Sequence, residues 1–394
     1  MKITDVKVVS KGLPADAPAL VQVDTDEGIT GVGSTSASIA VITSIIEDEN
    51  DGLRGLLIGI DPTDTNMAWR LMFANGVRGR SGEGGVAVNA MGAIDMALWD
   101  IAGKASGLPI YKMRGGAVQD RIMVYASGTA FDKELMERTG EMRHKPTQML
   151  VAEAEENQAN GFKAMKFGWG NHYSDKDYDD LSAVREAVGS EMKLMLDFGA
   201  PSYLDGSWTV KQAIQVADRL QEFDLFFWEE ALYPYDLEGF EMLTNQSPVQ
   251  IATGESLTTV RDFLPFIERR ALDVIQPDAQ QMGITQFARV AEIAEEAGIL
   301  CIPHGPWSAF LIAAHLQVLC TLSNGAMIEY PSPAVGRGSS REGIVTAMHQ
   351  TVIETPIVLK DGYLELPKNP GLGLGDFVPE VIEELAARSA GGTE

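Results

Sequence analysis

Seven ionisable residues recur between positions 166 and 329, each near the end of a short apolar run: Lys166, Asp197, Glu229, Glu255, Asp278, His304 and Glu329. Subtracting neighbouring positions gives separations of 31, 32, 26, 23, 26 and 25 residues. Three carboxylates in succession, Asp197, Glu229 and Glu255, are the donor set of a hard divalent cation such as Mg²⁺, which takes oxygen ligands and leaves sites open for water or substrate. One acid alone would be read as a helix cap or an ion-pair partner, but three in phase with one repeat are hard to assign to packing, since unpaired buried charge is costly. Asp278 and His304 form a second pattern, because a carboxylate that orients an imidazole raises its basicity and makes a general base. Lys166 raises a question of its own. In GFKAMKFGWG it shares a strand face with Gly168, two residues on, so a single lysine is followed on that face by nothing.

The spacing implies the elements. Eight apolar runs from about Arg121 onward, RIMVYASG, AMKFGWG, KLMLDFGA, LFFWEEAL, VQIATGES, LDVIQPDAQ, LCIPHGP and AMIEYPSP, alternate with amphipathic stretches such as VKQAIQVADRLQEF. Near-continuous apolar strands alternating with helices make a parallel sheet of βα units. Eight of them predict a closed barrel, whose strand ends converge on one mouth where active sites sit. Before this region, residues 1 to about 40 read as an antiparallel meander of two strands with DEG as a turn. AVNAMGAIDMALWDIAGKASG then reads as a helix stopped at Gly107-Leu-Pro109. The expected organisation is an α/β protein: a closed TIM-type (β/α) barrel over 121–356, an α+β region over 1–120, and a segment over 357–394 that folds back onto the N-terminal region.

Bulk composition narrows the partners. Across 394 residues, 56 acids against 31 bases give a formal charge of −25, which argues against nucleic acid or an anionic membrane. An anionic small substrate stays open, because one lysine or a metal inverts the field locally. Cys301 and Cys320 form neither a disulfide framework nor a metal-ligand spacing. With no apolar leader segment and no run of about 18 apolar residues, the expectation is a soluble, cytoplasmic protein. GLGLGD at 371–376 opens no helix of a βαβ unit and is no dinucleotide fingerprint.

The motifs NAMGAIDMALWDIAGK, GLPIYKMRGG, GFKAMK, LMLDFG, FWEEAL, IATGES, VIQPDA, IPHG and MIEYP occur in the order found in the mandelate racemase subgroup of the enolase superfamily, and the chain resembles that family from about residue 1 to about 376. The resemblance implies a capped (β/α)7β barrel and abstraction of a proton α to a carboxylate. It makes Asp197, Glu229 and Glu255 the Mg²⁺ ligands, Asp278 and His304 the catalytic dyad, and Glu329 the acid that bonds the substrate carboxylate or enolate. Lys166 matches the first lysine of the family's Lys-x-Lys, which sits by the substrate carboxylate. The second lysine, often a base, is here Gly168, and Ala231 stands where members usually carry proline. Racemisation needs a base on each face of the α-carbon, and dehydration does not. The expected activity is therefore dehydration of an acid sugar to a 2-keto-3-deoxy acid. Racemase or epimerase, cycloisomerase and a catalytically silent metal-binding homologue are the alternatives. A missed second base would come from His172 or Tyr173. Arg78 and Arg80 are candidate clamps for a distal carboxylate, with Trp169, Trp307 and Tyr233 as candidate pocket walls. Segments 11–36 and 66–85 are expected to overhang the mouth, and the family pattern implies a homo-oligomer.

Overall fold

The computed structural model describes residues 1–15, 17–77, 84–129, 145–168, 174–197, 209–334 and 342–391. The chain starts with an antiparallel sheet of three strands, β1 (Ile3–Val8), β2 (Ala19–Thr25) and β3 (Thr30–Thr35), one more than the two read from the sequence. The turn between β2 and β3 uses Gly28 at φ 78°, a left-handed conformation open to glycine. In β3, Gly31 and Gly33 have no Cβ for a different reason. An added Cβ would stand 2.2 Å from the Ala97 carbonyl oxygen and 2.0 Å from that of Ala93, so these glycines let the helix Val86–Ser106 lie directly on the sheet. That helix ends in a Schellman turn, with Gly107 N–H donating to Lys104 O and Leu108 N–H to Gly103 O. By length and composition it is apolar enough to cross a membrane, yet 89% of the apolar window is buried inside the protein. Between them, the cap sheet on one side and the barrel helix Ala279–Glu296 on the other cover it.

That second contact shapes the barrel helix. Gly283 at φ 69° kinks Ala279–Glu296, and the cap residue Asp95 restarts it by accepting from Thr285 N–H at 2.8 Å and Thr285 Oγ1 at 2.6 Å. Eight parallel strands follow: β4 (Arg121–Thr129), β5 (Ala164–Gly168), β6 (Lys193–Asp197), β7 (Leu225–Glu229), β8 (Ile251–Thr253), β9 (Val274–Ile275), β10 (Leu300–Cys301) and β11 (Met327–Pro331). Each pairs with the next from β4 to β10. A bridge between Cys301 and Gly325, together with pairing of β11 on β4, closes the ring. A helix separates every successive pair, Thr147–Ala159 first and Ala309–Leu319 last, and this is the (β/α)7β order. Beyond the barrel, the hairpin of β12 (Leu359–Lys360) and β13 (Tyr363–Glu365) pairs antiparallel with the start of β4, on the barrel rather than on the cap sheet. Gly371 and Leu372 then bond cap residues Leu108 and Asp100.

Half of segment 11–36 lies in β2 and β3, and 66–77 is helical. Their apolar residues find a core to bury in: Leu20, Val21, Val23, Val32 and Met72 are all inaccessible or nearly so. Inside the barrel, Tyr125, Ala164, Met195, Phe227, Ala252, Val274, Ile302 and Met327 form an apolar plug. Tyr125 meets Phe227 edge-on at 6.3 Å.

Candidate active site

Strand periodicity builds the site from that plug. Two residues further along each strand, the inward position holds Ser127, Lys166, Asp197, Glu229, Gly254, Gln276, His304 and Glu329. A dry apolar floor thus carries a polar layer at the C-terminal end of the barrel. Alternation would leave Glu255 facing outward. Gly254 changes that, adopting φ 127°, where an added Cβ would meet Phe263 Cε1 at 2.7 Å. Past this turn the Glu255 carboxylate joins Asp197 and Glu229, and one ligand oxygen from each lies within 4.8 Å of the others.

Lys166 sits at the centre, 2% exposed, with its Nζ 2.7 Å from Glu229 Oε2, 3.0 Å from Asp197 Oδ2 and 3.3 Å from Glu329 Oε1. Burial works against the ammonium, but these carboxylates outweigh it and hold its pKa well above the ordinary lysine value. Glu329 answers from the other side. Against burial, Lys166 and His304 push its pKa down to about 2, and its Oε2 accepts from Gly305 N–H at 2.7 Å. His304 Nδ1 lies 3.0 Å from Asp278 Oδ2, and its Nε2 lies 3.4 Å from Glu255 Oε2. Asp278 is itself inaccessible and its Oδ1 accepts from Gln280 N–H at 2.6 Å, so both carboxylate oxygens are engaged. Burial opposes a charge on His304 as well, yet Glu255 and the Asp278 hydrogen bond raise its pKa well above the ordinary value.

The carboxylate group has the chemistry of a cation site. Glu229 is fully buried, its Oε1 has no hydrogen-bond partner among the described residues, and burial followed by repulsion from Asp197 drives its pKa up. A divalent cation among these oxygens would relieve that repulsion and engage the unpartnered atom, so the donor set fits Mg²⁺.

The seven spaced residues thus come together around one mouth. Trp307 is 38% exposed, with its ring 6.5 Å from that of His304. Tyr233 is 43% exposed and packs on Tyr235, whose hydroxyl donates to Ser256 O at 3.3 Å in the loop after Glu255. Arg78, Arg80, Trp169, His172 and Tyr173 lie outside the described residues. Several neighbours escaped the sequence reading. Tyr125 stands under Lys166, with the ammonium 5.7 Å from its ring centroid, and period-two counting back from Ser127 would have found it. Glu230, buried at φ 49°, accepts from Thr253 Oγ1 at 2.5 Å and so links the β7 and β8 ends. His315 accepts from Ala279 N–H through Nε2 at 3.1 Å, and no spacing rule reaches it from Asp278.

Residues 6–115 match the family described as "Mandelate racemase / muconate lactonizing enzyme, N-terminal domain", and residues 149–375 match "Enolase C-terminal domain-like". The chain belongs to the enolase superfamily. Within it, the chain is 32% identical over 364 residues to 3,6-anhydro-alpha-L-galactonate cycloisomerase of Streptomyces coelicolor, covering 90% of this chain and 87% of that protein. It is 30% identical over 321 residues to L-talarate/galactarate dehydratase of Salmonella typhimurium, covering 80% and 74%. A solved racemase from Streptomyces coelicolor A3(2) with bound magnesium superposes with a TM-score of 0.77 at 26% identity, covering 97% of this chain and 99% of that one. Both enolase-superfamily segments fall on the elements described above: the amino-terminal match spans the cap sheet and its long helix, and the carboxy-terminal match spans β5 to β13.

Proposed function

We propose that this chain is a Mg²⁺-dependent acid-sugar dehydratase. The observation that carries the reading is one oriented base among the described residues: His304, held by Asp278, beside Lys166 and with Gly168 at the next inward position of β5. Asp197, Glu229 and Glu255 would hold Mg²⁺, which when bound would stabilise negative charge developing on the substrate carboxylate and offset the charge of Glu255 beside His304.

Asp278 accepts from Nδ1–H and fixes the tautomer, so Nε2 is the proton acceptor. In the proposed reaction the α C–H bond breaks, its proton goes to His304 Nε2, and the electron pair moves into the carboxylate to give an enediolate. Lys166, kept as an ammonium by its carboxylates, bonds the charged oxygens. The pair then returns to form the Cα–Cβ double bond as the β C–O bond breaks, and His304 returns its proton so that the hydroxide leaves as water. The resulting enol tautomerises to the 2-keto-3-deoxy acid. Glu329, held ionised, would orient Lys166 and the Gly305 amide, a departure from the direct bond to the substrate carboxylate or enolate that the resemblance implies.

Cycloisomerisation is the second reading, favoured by the same oriented base and by the cycloisomerase among the relatives. There the β-leaving group is a ring oxygen instead of hydroxide. Arg78, Arg80, Trp169 and Trp307 are proposed to contact the distal part of the substrate, and the division at 120/121 and 356/357 is proposed to separate cap, barrel and returning segment. Assembly into a homo-oligomer and a cytoplasmic location follow from the same family reading. The test is a panel of mono- and diacid sugars, their lactones and anhydro forms, incubated with Mg²⁺ and followed for 2-keto acid. His304→Asn should lower turnover by roughly 10²–10⁴-fold. Exchange of the α-proton in D₂O across the panel with no 2-keto product from any acid or lactone would remove both readings.

A further inference from the structure

We propose that Gln280 is a positioning residue: through Ser34 of β3 it ties the cap to the His304–Asp278 pair. The proposal rests on the reading of His304 as the base. Gln280 is inaccessible and works in two directions. Its backbone N–H donates to Asp278 Oδ1 at 2.6 Å, while its side-chain Nε2 donates to Ser34 Oγ at 2.8 Å, across a sequence separation of 246 residues. The same Nε2 lies 3.5 Å from Ser308 Oγ, and the Ser34 and Ser308 hydroxyls are 2.8 Å apart. Ser308 also caps the helix Ala309–Leu319, accepting from Leu311 N–H at 3.2 Å, four residues after His304.

The two backbone segments that carry the pair, the turn at 278–280 and the loop at 304–308, therefore converge on one hydroxyl supplied by the cap. Packing does not require this cluster. Ser34, Gln280 and Ser308 are all fully buried, and Gln280 Oε1 has no partner among the described residues. Apolar side chains of similar shape could fill the space at no net cost, because a buried hydrogen bond only roughly offsets its desolvation. A directional bond does what apolar packing cannot, which is to fix one angle between cap and dyad. Outer partners of a carboxylate–histidine pair set ring orientation and basicity in this way, and their loss typically costs about 10–100-fold.

The test uses the full-length protein and three variants: Gln280→Met, which keeps volume and removes the amide, Ser34→Ala, and the double variant. The expected result on the dehydration substrate is a fall in kcat of about 10–100-fold for Gln280→Met, with KM and Mg²⁺ affinity by calorimetry within about 3-fold of wild type. The double variant should be no worse than Gln280→Met alone, as coupled residues require. Independent of turnover, the chain has five histidines, so selective ¹⁵N-histidine labelling can resolve the His304 Nδ1–H signal, assigned by its absence in His304→Asn. That downfield, slowly exchanging signal should broaden or exchange faster in Gln280→Met and in Ser34→Ala. An unchanged signal in both variants, or kcat losses that add, would overturn the proposal. Should Gln280→Met fail to fold, Ser34→Ala decides alone. Should no acid be turned over, the NMR arm still reads the tie, and only the dehydratase reading fails.

Discussion

His315 shows how one buried side chain makes stability depend on pH. Its Nε2 must keep a lone pair to accept from Ala279 N–H, and its ring packs 5.0 Å from Phe287. Burial, and then the charge of His304, lowers its pKa to about 3. An unfolded histidine titrates near 6.5, so between those values the unfolded chain binds the extra proton and the folded chain does not. Stability must then fall as pH drops from about 6.5 toward 3, at up to about 1.4 kcal/mol per pH unit from this group. His315→Gln keeps an acceptor and removes the titration. The difference in unfolding free energy between wild type and variant, measured by urea titration, should shift toward the variant as pH falls through that window. A constant difference would mean that His315 titrates normally in the folded protein. Much at this scale was legible beforehand: the seven residues stood out by their repeat length, and strand parity turned all of them inward except Glu255. Gln280 and Ser34 were not, because their meaning lies in a contact between segments 246 residues apart.

At the scale of elements, two glycines carry predictions, one of them against ordinary helix propensity. Glycine inside a helix normally costs about 1 kcal/mol relative to alanine. Gly92 sits inside Val86–Ser106, yet a Cβ there would stand 2.7 Å from the Gly283 backbone nitrogen of the crossing helix. Gly92→Ala should therefore destabilise, by about 1–3 kcal/mol, through overpacking of backbone against side chain. A rise in Tm would show that the two helices can move apart. Gly254→Ala tests the turn that brings Glu255 inward. The substituted residue must either leave φ 127° or drive into Phe263, so Mg²⁺ affinity by calorimetry should fall more than about 10-fold. Retained affinity would show that Glu255 is not a ligand. Helix and strand periods announced these elements, whereas neither the crossing that fixes Gly92 nor the turn that fixes Gly254 appeared in either period.

The whole molecule carries a formal charge of −25 and gathers three of its carboxylates at one point of its mouth. Folding places that repulsion next to a single lysine, so a bound cation should stabilise the entire fold. With free Mg²⁺ at about 100 times its dissociation constant, mass action adds about 2.7 kcal/mol. Tm should rise with Mg²⁺, fall back with EDTA, and stay flat in Asp197→Asn. A Tm that is indifferent to Mg²⁺ in the wild type would argue against the carboxylate group as its site.

By itself the sequence determined the barrel, the phase of its inward residues and the family. The barrel and the phase follow from a period of two residues along each strand and about 23–32 residues per strand-to-strand unit, and the family from the order of its short motifs, all of which are local properties of the chain. Tertiary structure decided the rest. It turned Glu255 inward at Gly254, left Lys166 among three carboxylates and fastened the His304–Asp278 pair to the cap. Those outcomes depend on distances between residues far apart in the chain, and no local period encodes such distances.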